Sequence, residues 1–339
     1  MRLLVIHSSS EMYGSDRMLL NVIESMKELG DLDIHVILPT DCPRSSQFES
    51  SLFDLGASFE YLNIPVIRRA YLNFPGILRL MKKMYFTYFN LYKFTPDYVW
   101  FSTSATLLNV PIINSKFKTQ KFLHVQENWE RKFLPFMYIL ARPIDKFIAI
   151  SVPVLTKIPK TLRQKAILIP NVVKDTCLNH PLSINKQNGD PTTFLYASRW
   201  TEVKGIDTLI FAWETLPFIN SKLIVAGGPS NFGGNVDVFD RMENSNFSNP
   251  IEILGEVSSL ESIIDEVDFV VIPSNWDEPF GILAIESMCR STPVIASMGG
   301  GLGQIVSHGI DGFLYPNRNF EALAKYIEVA SNLDSESRN

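Results

Sequence analysis

The feature that most constrains the fold of this chain is a series of short apolar runs that alternate with stretches of helical periodicity. The runs are rich in Val, Ile and Leu, as the buried strands of parallel sheets are. Between the first two runs, apolar residues recur at helical spacing from Leu19 to Leu29, and Gly30 is a typical helix stop. Strand, helix and strand in this order predict βαβ units and an α/β fold. The predicted strands, some with the turn that follows, lie at residues 3–6, 34–38, 98–101, 121–125, 147–151, 166–170, 194–199, 223–229, 251–255 and 269–273.

The length of 339 residues exceeds what one hydrophobic core usually organises, so we expect two domains. Residues 177–193 turn polar and have little periodicity, which is typical of a linker. We predict an N-terminal domain at residues 1–180 and a C-terminal domain at residues 190–339, each with a Rossmann-like parallel sheet.

The composition is that of a soluble globular protein, with 46% apolar and 20% charged residues. The net charge of −5 argues against a general nucleic-acid-binding protein. Cys42, Cys177 and Cys289 are widely separated, which favours neither a disulfide framework nor a zinc site and fits a reducing cytosol. The N-terminal apolar run is too short for a signal peptide, and no run reaches the roughly 18 apolar residues of a membrane span. We therefore expect a cytoplasmic protein, either soluble or peripheral to a membrane.

Two carboxylates, Glu278 and Glu286, flank the predicted start of a helix that follows the apolar run 269–273. Pro279 suits a first helical turn, which does not need its N–H, and Gly281 lets a ligand approach the backbone. The unpaired N–H groups of such a turn attract phosphate, and open α/β sheets bind ligands at this edge. Glu286, roughly two turns further along, could accept hydrogen bonds from a ribose diol. The stretch therefore predicts a sugar-nucleotide site.

The same spacing is also compatible with a structural role. Glu278 would then be a solvated loop residue, and Glu286 would lie on the surface of an amphipathic helix. The core face of that helix would be Ile282, Ile285 and Cys289. The spacing alone does not decide between the two interpretations.

Three motifs follow one another along the chain: Glu278 to Glu286, Pro293-Val-Ile-Ala296 and Gly309-Ile-Asp-Gly-Phe-Leu314. As an ordered set they resemble the retaining, GT-B-fold nucleotide-sugar glycosyltransferases of family 4. The resemblance implies two Rossmann-like domains that face each other across a cleft and close on their substrates. It also implies transfer of a hexosyl group from a nucleoside diphosphate sugar to a glycan or lipid-linked glycan, with anomeric retention. Bacterial surface polysaccharides, such as O-antigen or capsule, are the expected products.

The resemblance assigns donor binding mainly to the C-terminal half. Arg199 and Lys204 match the arginine and lysine that bind the donor diphosphate in the family. Two fixed cations and a helix N-terminus would stabilise the charge of the leaving diphosphate without a metal ion or a cofactor. In isolation the two residues would be interpreted as solvated loop cations. The catalytic residues implied are Glu278, Arg199, Lys204 and His124, and the donor-binding residues implied are Gly14, Gly227, Gly228, Phe280, Gly281, Ile282, Leu283 and Glu286.

The N-terminal half is expected to hold the acceptor. His124 ends an apolar run, and in the family a histidine there lines the acceptor side, with polar neighbours that here are Glu127 and Asn128. A lone histidine at a strand end can also be a structural residue with a hydrogen-bond partner. In the first loop, Gly14 and Asp16 match the second glycine and the acid of the family's glycine-rich loop.

Four positions depart from the family's motifs: Tyr13, Val172 and Ser291 replace glycines, and Gln304 replaces an acid in the turn at 298–304. These changes leave open a protein that binds the donor but is inactive. A sugar-nucleotide epimerase of similar two-lobed shape is a further alternative, and it would form product without an acceptor.

Two further expectations concern a metal ion and the end of the chain. Asp31-Leu-Asp33 has the Asp-x-Asp pattern of a metal-binding pair. Because it precedes a strand, it lies away from the edge of the sheet where a ligand is expected, and we interpret it as a turn. Relatives commonly continue into a helix that crosses back to the first domain. Because the chain ends at Asn339, soon after Ile327, we expect this crossover to be short or missing.

Residues 68–94 carry six cations and no acidic residue, interleaved with eight aromatic residues. Basic residues attract anionic headgroups, and aromatic rings prefer the membrane interface. We therefore predict that this stretch docks on the cytoplasmic face of a membrane. The alternative is that Leu78, Met81 and Tyr85 contact the core, whereas Arg79, Lys82 and Lys83 form a solvated face.

Overall fold

The computed structural model describes residues 1–71, 73–91, 95–173, 189–230, 234–244, 246–257 and 259–333. The chain divides into two compact units, Met1–Val172 and Val173–Asn339. Most of the predicted linker, residues 177–188, lies outside the described residues, as do the last six residues, 334–339. None of the helices in the described ranges combines the length and the apolar composition that a membrane span requires.

The first unit contains one parallel sheet. Its strands are β1 (Arg2–Ile6), β2 (Asp33–Pro39), β3 (Ser58–Leu62), β4 (Tyr98–Phe101), β5 (Gln120–Val125), β6 (Lys146–Ala149) and β7 (Ala166–Leu168). Its helices are α1 (Gly14–Leu29), α2 (Ser46–Asp54), α3 (Phe74–Asn90), α4 (Val110–Lys116), α5 (Leu134–Ala141), α6 (Val152–Lys157) and α7 (Lys160–Arg163). The strand order is β3-β2-β1-β4-β5-β6-β7. Leu4, Val5 and Ile6 are all 0% exposed, and because successive residues point to opposite faces, both faces of β1 are covered.

The second unit repeats this plan. Its strands are β8 (Thr192–Ala197), β9 (Ser221–Ala226), β10 (Ile251–Gly255), β11 (Phe269–Ile272), β12 (Val294–Ser297) and β13 (Gly312–Tyr315). Its helices are α8 (Ile206–Thr215), α9 (Phe239–Asn244), α10 (Glu261–Ile264), α11 (Ile282–Met288), α12 (Leu302–Ile305) and α13 (Phe320–Ser331). The strand order is β10-β9-β8-β11-β12-β13, and all the pairings are parallel.

The predicted fold class, an α/β chain with two Rossmann-like parallel sheets, is confirmed. The predicted helix stop is also confirmed, because α1 ends at Leu29 with Gly30 as its C-cap. The predicted strands did not include β3, β12 or β13, of which β3 and β13 are edge strands. β3 has half-buried or exposed residues throughout, so it lacks the continuous apolar run of a central strand.

The orientation of α3 corrects two expectations about residues 68–94. Lys83 is buried, and its Nζ lies 2.7 Å from Oδ2 of Asp41, so the solvated position expected for Lys83 is wrong. Tyr71 donates its O–H to the same oxygen at 2.6 Å, and Arg68 donates to Oδ1 at 3.3 Å. The proposed core contacts of Leu78, Met81 and Tyr85 are also wrong, because these side chains are exposed. Tyr92, Lys93 and Phe94 of this stretch lie outside the described residues.

Candidate active site

The carboxyl ends of β8 and β11, two paired strands of the second sheet, carry the loops that hold the main predicted site residues. Arg199 follows β8, and the short 3-10 turn Glu202–Lys204 comes next, before α8. Glu278 follows β11 and precedes α11. Because the carboxyl ends of parallel strands lie at one edge of the sheet, the two loops are neighbours.

Lys204 and Glu278 form the central contact of this edge. Nζ of Lys204 donates to Oε1 and Oε2 of Glu278, at 3.0 Å each, and Oγ of Ser274 donates to Oε2 at 2.9 Å. The side chains of Lys204 and Glu278 are 27% and 15% exposed. Burial disfavours the charged carboxylate, but Lys204, Ser274 and Arg199 together outweigh this effect and lower the pKa of Glu278. Glu278 is therefore ionised at neutral pH.

Lys204 is held in place by a turn that requires glycine. The turn ends at Gly205, whose φ of 70° lies in the left-handed region. A Cβ at Gly205 would lie 1.8 Å from the carbonyl oxygen of Pro273, just after β11. Only glycine permits this approach. The contact fixes the loop of Lys204 against the loop that leads to Glu278.

Asn275 ties the same two loops together, and sequence reasoning missed it. Its backbone N–H donates to the carbonyl of Val203 at 3.0 Å, and its Nδ2 donates to the carbonyl of Glu202 at 2.9 Å. Thr208 Oγ1 donates to its Oδ1 at 2.7 Å. The residue is only 7% exposed. An asparagine after a strand is an ordinary loop signal, so nothing in the sequence marked this role.

The glycine-rich turn at residues 298–304 supports the backbone around Glu278. The N–H of Gly301 donates to the carbonyl of Glu278 at 2.6 Å. A Cβ at Gly300, where φ is 64°, would lie 2.1 Å from the same oxygen, and a Cβ at Gly301 would lie 2.3 Å from the carbonyl oxygen of Phe280. Both positions therefore require glycine, and the turn supports Glu278 through its backbone.

The helix after Glu278 begins later than predicted. Gly281, with φ of 103°, is the N-cap of α11, so Pro279 lies before the helix, and its expected place in the first turn is wrong. The left-handed backbone at Gly281 stops the helix from extending toward Pro279. Phe280 is buried, and Leu283 packs against the hydrophobic core as a partly buried residue.

The buried side of α11 also differs from the core face considered above. Ala284 and Ser287 are the buried residues of the helix. Glu286 lies one turn after Ile282, so the two share a partly exposed side of α11. The three residues of the expected core face are only partly buried: Ile282, Ile285 and Cys289.

Arg199 is half-buried on the loop after β8. Gly227 and Gly228, just after β9, pack against this loop. A Cβ at Gly227 would lie 2.2 Å from the carbonyl oxygen of Ser198, and the N–H of Trp200 donates to the carbonyl of Gly228 at 2.8 Å. The two glycines therefore position the backbone of Arg199, and their contact with a donor stays a prediction.

Asp16 orders the loop after β1 in the first unit. Its Oδ1 accepts from Nε2 of His7 at 2.7 Å and from Oγ of Ser9 at 2.5 Å, and its Oδ2 accepts from the N–H of Glu11 at 2.9 Å. Burial disfavours its charge, but these contacts outweigh burial and lower its pKa. Gly14 is the first residue of α1, and a Cβ there would meet no atom within 4 Å. Packing therefore does not require glycine at this position.

His124 lies near the end of β5 and is 4% exposed. Burial lowers the pKa of its imidazole to about 4, so the ring is neutral at pH 7. The ring centroid lies 5.9 Å from that of Trp100. Among the described residues, Nδ1 has no hydrogen-bond partner. A purely structural histidine would be expected to have a hydrogen-bond partner at Nδ1, and the described residues do not provide one.

Glu127 and Asn128 follow β5 in the same unit, and both are partly buried. Oε2 of Glu127 accepts from the N–H of Ser104 at 3.1 Å. Burial raises the pKa of Glu127 despite this contact. The acceptor roles of both residues stay predictions.

Within the described part of the chain, no three His, Cys, Asp or Glu side chains lie close enough together to hold a metal ion. Asp33, from the Asp31-x-Asp33 pair, is the first residue of β2 and so lies at the amino end of that strand.

Comparison with known proteins adds a family match for the second unit. Residues 182–339 match the model of the family Glycosyl transferases group 1. An uncharacterised glycosyltransferase of Methanocaldococcus jannaschii is 33% identical over 194 residues, which cover 56% of this chain and 50% of that protein. The lipopolysaccharide 1,2-N-acetylglucosaminetransferase of Salmonella typhimurium is 30% identical over 132 residues, which cover 37% of this chain and 35% of that protein. The chain thus spans half or less of the length of these relatives.

A solved structure extends the likeness over the whole chain. HepE of Anabaena in complex with UDP-glucose has a TM-score of 0.77 and 19% sequence identity, and the match covers 100% of this chain and 91% of HepE. At this identity the likeness shows the fold alone. The chain therefore has the GT-B fold of glycosyltransferases, and in sequence its residues 182–339 are similar to the glycosyl transferases group 1 family.

Proposed function

We propose that this protein is a retaining glycosyltransferase that moves a hexosyl group from a nucleoside diphosphate sugar to a glycan or lipid-linked glycan. The observation that carries the proposal is the ionised carboxylate of Glu278, with Lys204 bound to it and Arg199 close enough to lower its pKa. The family match of residues 182–339 supports the same activity. The complexes of HepE with UDP and with UDP-glucose make a uridine diphosphate sugar the first donor to test.

The diphosphate of the donor would bind Arg199 and Lys204. As the glycosidic bond breaks, negative charge accumulates on the departing diphosphate, so fixed cations bind the transition state more tightly than the ground state. An ammonium group has three N–H donors. Lys204 can therefore hold the Glu278 carboxylate and a phosphate oxygen at the same time. This chemistry requires neither a metal ion nor a cofactor.

Glu278 would contact the transferred sugar. A carboxylate accepts hydrogen bonds from sugar hydroxyls, and it stabilises the positive charge that develops at the anomeric carbon. Because the pKa of Glu278 is lowered, the group acts as an acceptor and as a fixed negative charge, not as a proton donor. Glu286 and Ile282, on the partly exposed side of α11, would bind the nucleoside.

The acceptor would contact His124 in the first unit, with Glu127 and Asn128 nearby in sequence. A neutral imidazole accepts a hydrogen bond from a hydroxyl group. The imidazole of His124 is neutral at pH 7 and is therefore able to accept such a bond. The proposed setting is the synthesis of a bacterial surface polysaccharide at the cytoplasmic face of the membrane. A relative that is a lipopolysaccharide N-acetylglucosaminetransferase supports this setting.

The test has two stages. A thermal-shift panel of nucleoside diphosphates and their sugars identifies the donor, because a ligand that binds the folded state raises its stability. The selected donor is then incubated with lipid-linked glycan extracts, and the anomeric configuration of the product is read by NMR. A stabilising donor and a product of retained configuration are expected, with or without EDTA.

Two other outcomes would identify the alternatives. A donor that is converted to another sugar nucleotide without any acceptor would identify an epimerase. A donor that binds without turnover on any extract would favour an inactive donor-binding protein. This alternative is considered because four positions depart from the family's motifs: Tyr13, Val172, Ser291 and Gln304.

A further inference from the structure

The helix α3 exposes apolar side chains and buries polar ones. Its buried residues are Gly76, Lys83 and Thr87. Six apolar residues at i, i+3 and i+4 spacing share the opposite face, and each is between 51% and 76% exposed. We call them the outer stripe: Phe74, Ile77, Leu78, Met81, Tyr85 and Phe89. An ordinary surface helix has the reverse pattern, with its apolar face toward the core.

Buried contacts fix this orientation. Lys83 pairs with Asp41 on the loop after β2, and Thr87 Oγ1 donates to the carbonyl of Asn63, just after β3, at 3.4 Å. A Cβ at Gly76 would lie 2.5 Å from the backbone of Tyr71, so this position of α3 lies directly against the chain. Rotating the helix to bury the outer stripe would break the pair of Lys83 and Asp41. The exposure of the stripe is therefore built into the fold.

Positive charge borders the outer stripe. Arg79 and Lys82 are exposed along one flank. On the other flank, Nζ of Lys116 is buried, 4.2 Å from the ring centroid of Tyr88. Residues 64–96 contain no Asp or Glu, although the whole chain has a net charge of −5. The stripe is thus an exposed apolar surface with cations along one flank, in an otherwise acidic protein.

We propose that the outer stripe docks on an anionic lipid bilayer, with its apolar side chains inserted at the headgroup boundary. Arg79 and Lys82, which are exposed, would lie at the level of the lipid phosphates. Tyr and Phe rings are suited to this boundary. A second copy of the chain is a poorer occupant, because a two-fold contact through α3 would bring the same cations together. The inference rests on the proposed function in one respect: docking would bring the chain to a lipid-linked acceptor.

The test is flotation of the full chain with vesicles of phosphatidylcholine, with and without phosphatidylglycerol. The variant Ile77→Ser, Met81→Ser, Tyr85→Ser should lower the bound fraction by roughly tenfold or more, because it removes inserted apolar surface. The matched control is Phe218→Ser, Ile310→Ser, since these side chains are 71% and 87% exposed in the other unit. This control should bind like the wild type.

A second pair of variants tests the charge. Lys82→Glu should weaken binding to anionic vesicles several-fold and make it less sensitive to salt, because it reverses one of the bordering cations. Lys325→Glu, at a position on α13 that is also exposed, should change neither property. Insertion is read directly with Tyr85→Trp, whose added fluorescence should be quenched by brominated acyl chains.

Three outcomes would overturn the proposal: equal flotation of the stripe variant and the wild type, no binding to anionic vesicles at low salt, or a dimer that the stripe variant dissociates without any vesicle binding. The thermal shift with UDP is measured on the same samples. If UDP produces no thermal shift in the wild type, the donor assignment is contradicted and the docking result is unaffected. A failure of the proposed function is thus distinguishable from a failure of the docking proposal.

Discussion

Lys204 donates to both carboxylate oxygens of Glu278, at 3.0 Å each, although the two residues are 74 positions apart in the chain. The pair joins the loops after β8 and β11 and contributes to the lowered pKa of Glu278. Both residues are also proposed to bind the donor. A bound donor would therefore share a contact that joins the two loops.

Lys204→Ala and Arg199→Ala should each lower kcat, because the charge that they stabilise develops mainly in the transition state. The loss of one such contact costs roughly 3–4 kcal/mol. The comparison is Lys325→Ala, an exposed cation on α13 that should leave kcat unchanged. Steady-state kinetics with the donor found by thermal shift measure the effect, and wild-type rates in both site variants would remove the diphosphate assignment.

Glu286→Ala should weaken the binding of a bare nucleoside diphosphate, because its proposed partner is the ribose. Glu278→Ala should chiefly weaken the binding of the complete donor, because its proposed partner is the sugar. The loss of a hydrogen bond to a charged group costs roughly 1.5–3 kcal/mol. Calorimetry with UDP and with UDP-glucose separates the two effects. If UDP binds Glu286→Ala as tightly as the wild type, the carboxylate of Glu286 is structural.

Gly205→Ala and Gly309→Ala form a matched pair, because φ is positive at both positions, 70° and 78°, but their surroundings differ. A Cβ at Gly309 would meet no atom within 4 Å, so Gly309→Ala should cost about 1–2 kcal/mol of unfolding free energy from the backbone alone. At Gly205 the Cβ would lie 1.8 Å from the carbonyl oxygen of Pro273, and the cost should be roughly 3 kcal/mol or more. Urea denaturation measures both, and equal costs would show that the loop of Lys204 can shift freely.

Asp41 should make the stability of the first unit depend on pH. Burial disfavours its charge, but Lys83, Tyr71 and Arg68 outweigh burial and lower its pKa to about 2. Because the folded pKa is below the unfolded one, the stabilisation is complete above about pH 4 to 5 and is lost as the pH falls toward 2. It amounts to about 2 kcal/mol at neutral pH.

The measurement is the difference in unfolding free energy between the wild type and Asp41→Asn, followed from pH 7 to pH 3. The difference should shrink as the pH falls, by roughly 1 kcal/mol at pH 3. Asp54→Asn, at an exposed position of α2, serves as the control and should show no such trend. A difference that stays constant over this range would mean that the carboxylate of Asp41 is not held by its cations.

The sequence predicted the loops of the second unit that carry the candidate site residues. Arg199, Lys204 and Glu278 lie on neighbouring loops because each follows an apolar run, and parallel strands bring such loops to one edge. It did not predict that Lys204 pairs with Glu278 or that Asn275 ties their loops together. Those contacts depend on the distance between two loops, and local periodicity carries no information about that distance.

The sequence by itself determined the α/β class and the existence of two parallel sheets, because continuous Val, Ile and Leu runs are stable only as strands that are covered on both faces. Only the tertiary structure decided which way α3 faces. Along α3 the apolar and the basic residues both recur at helical spacing, so either set could have been the buried one. Asp41, on a loop far from α3 in the sequence, pairs with Lys83 and turns the outer stripe to the surface. An ion pair between distant segments thus overrode the usual burial of the apolar face.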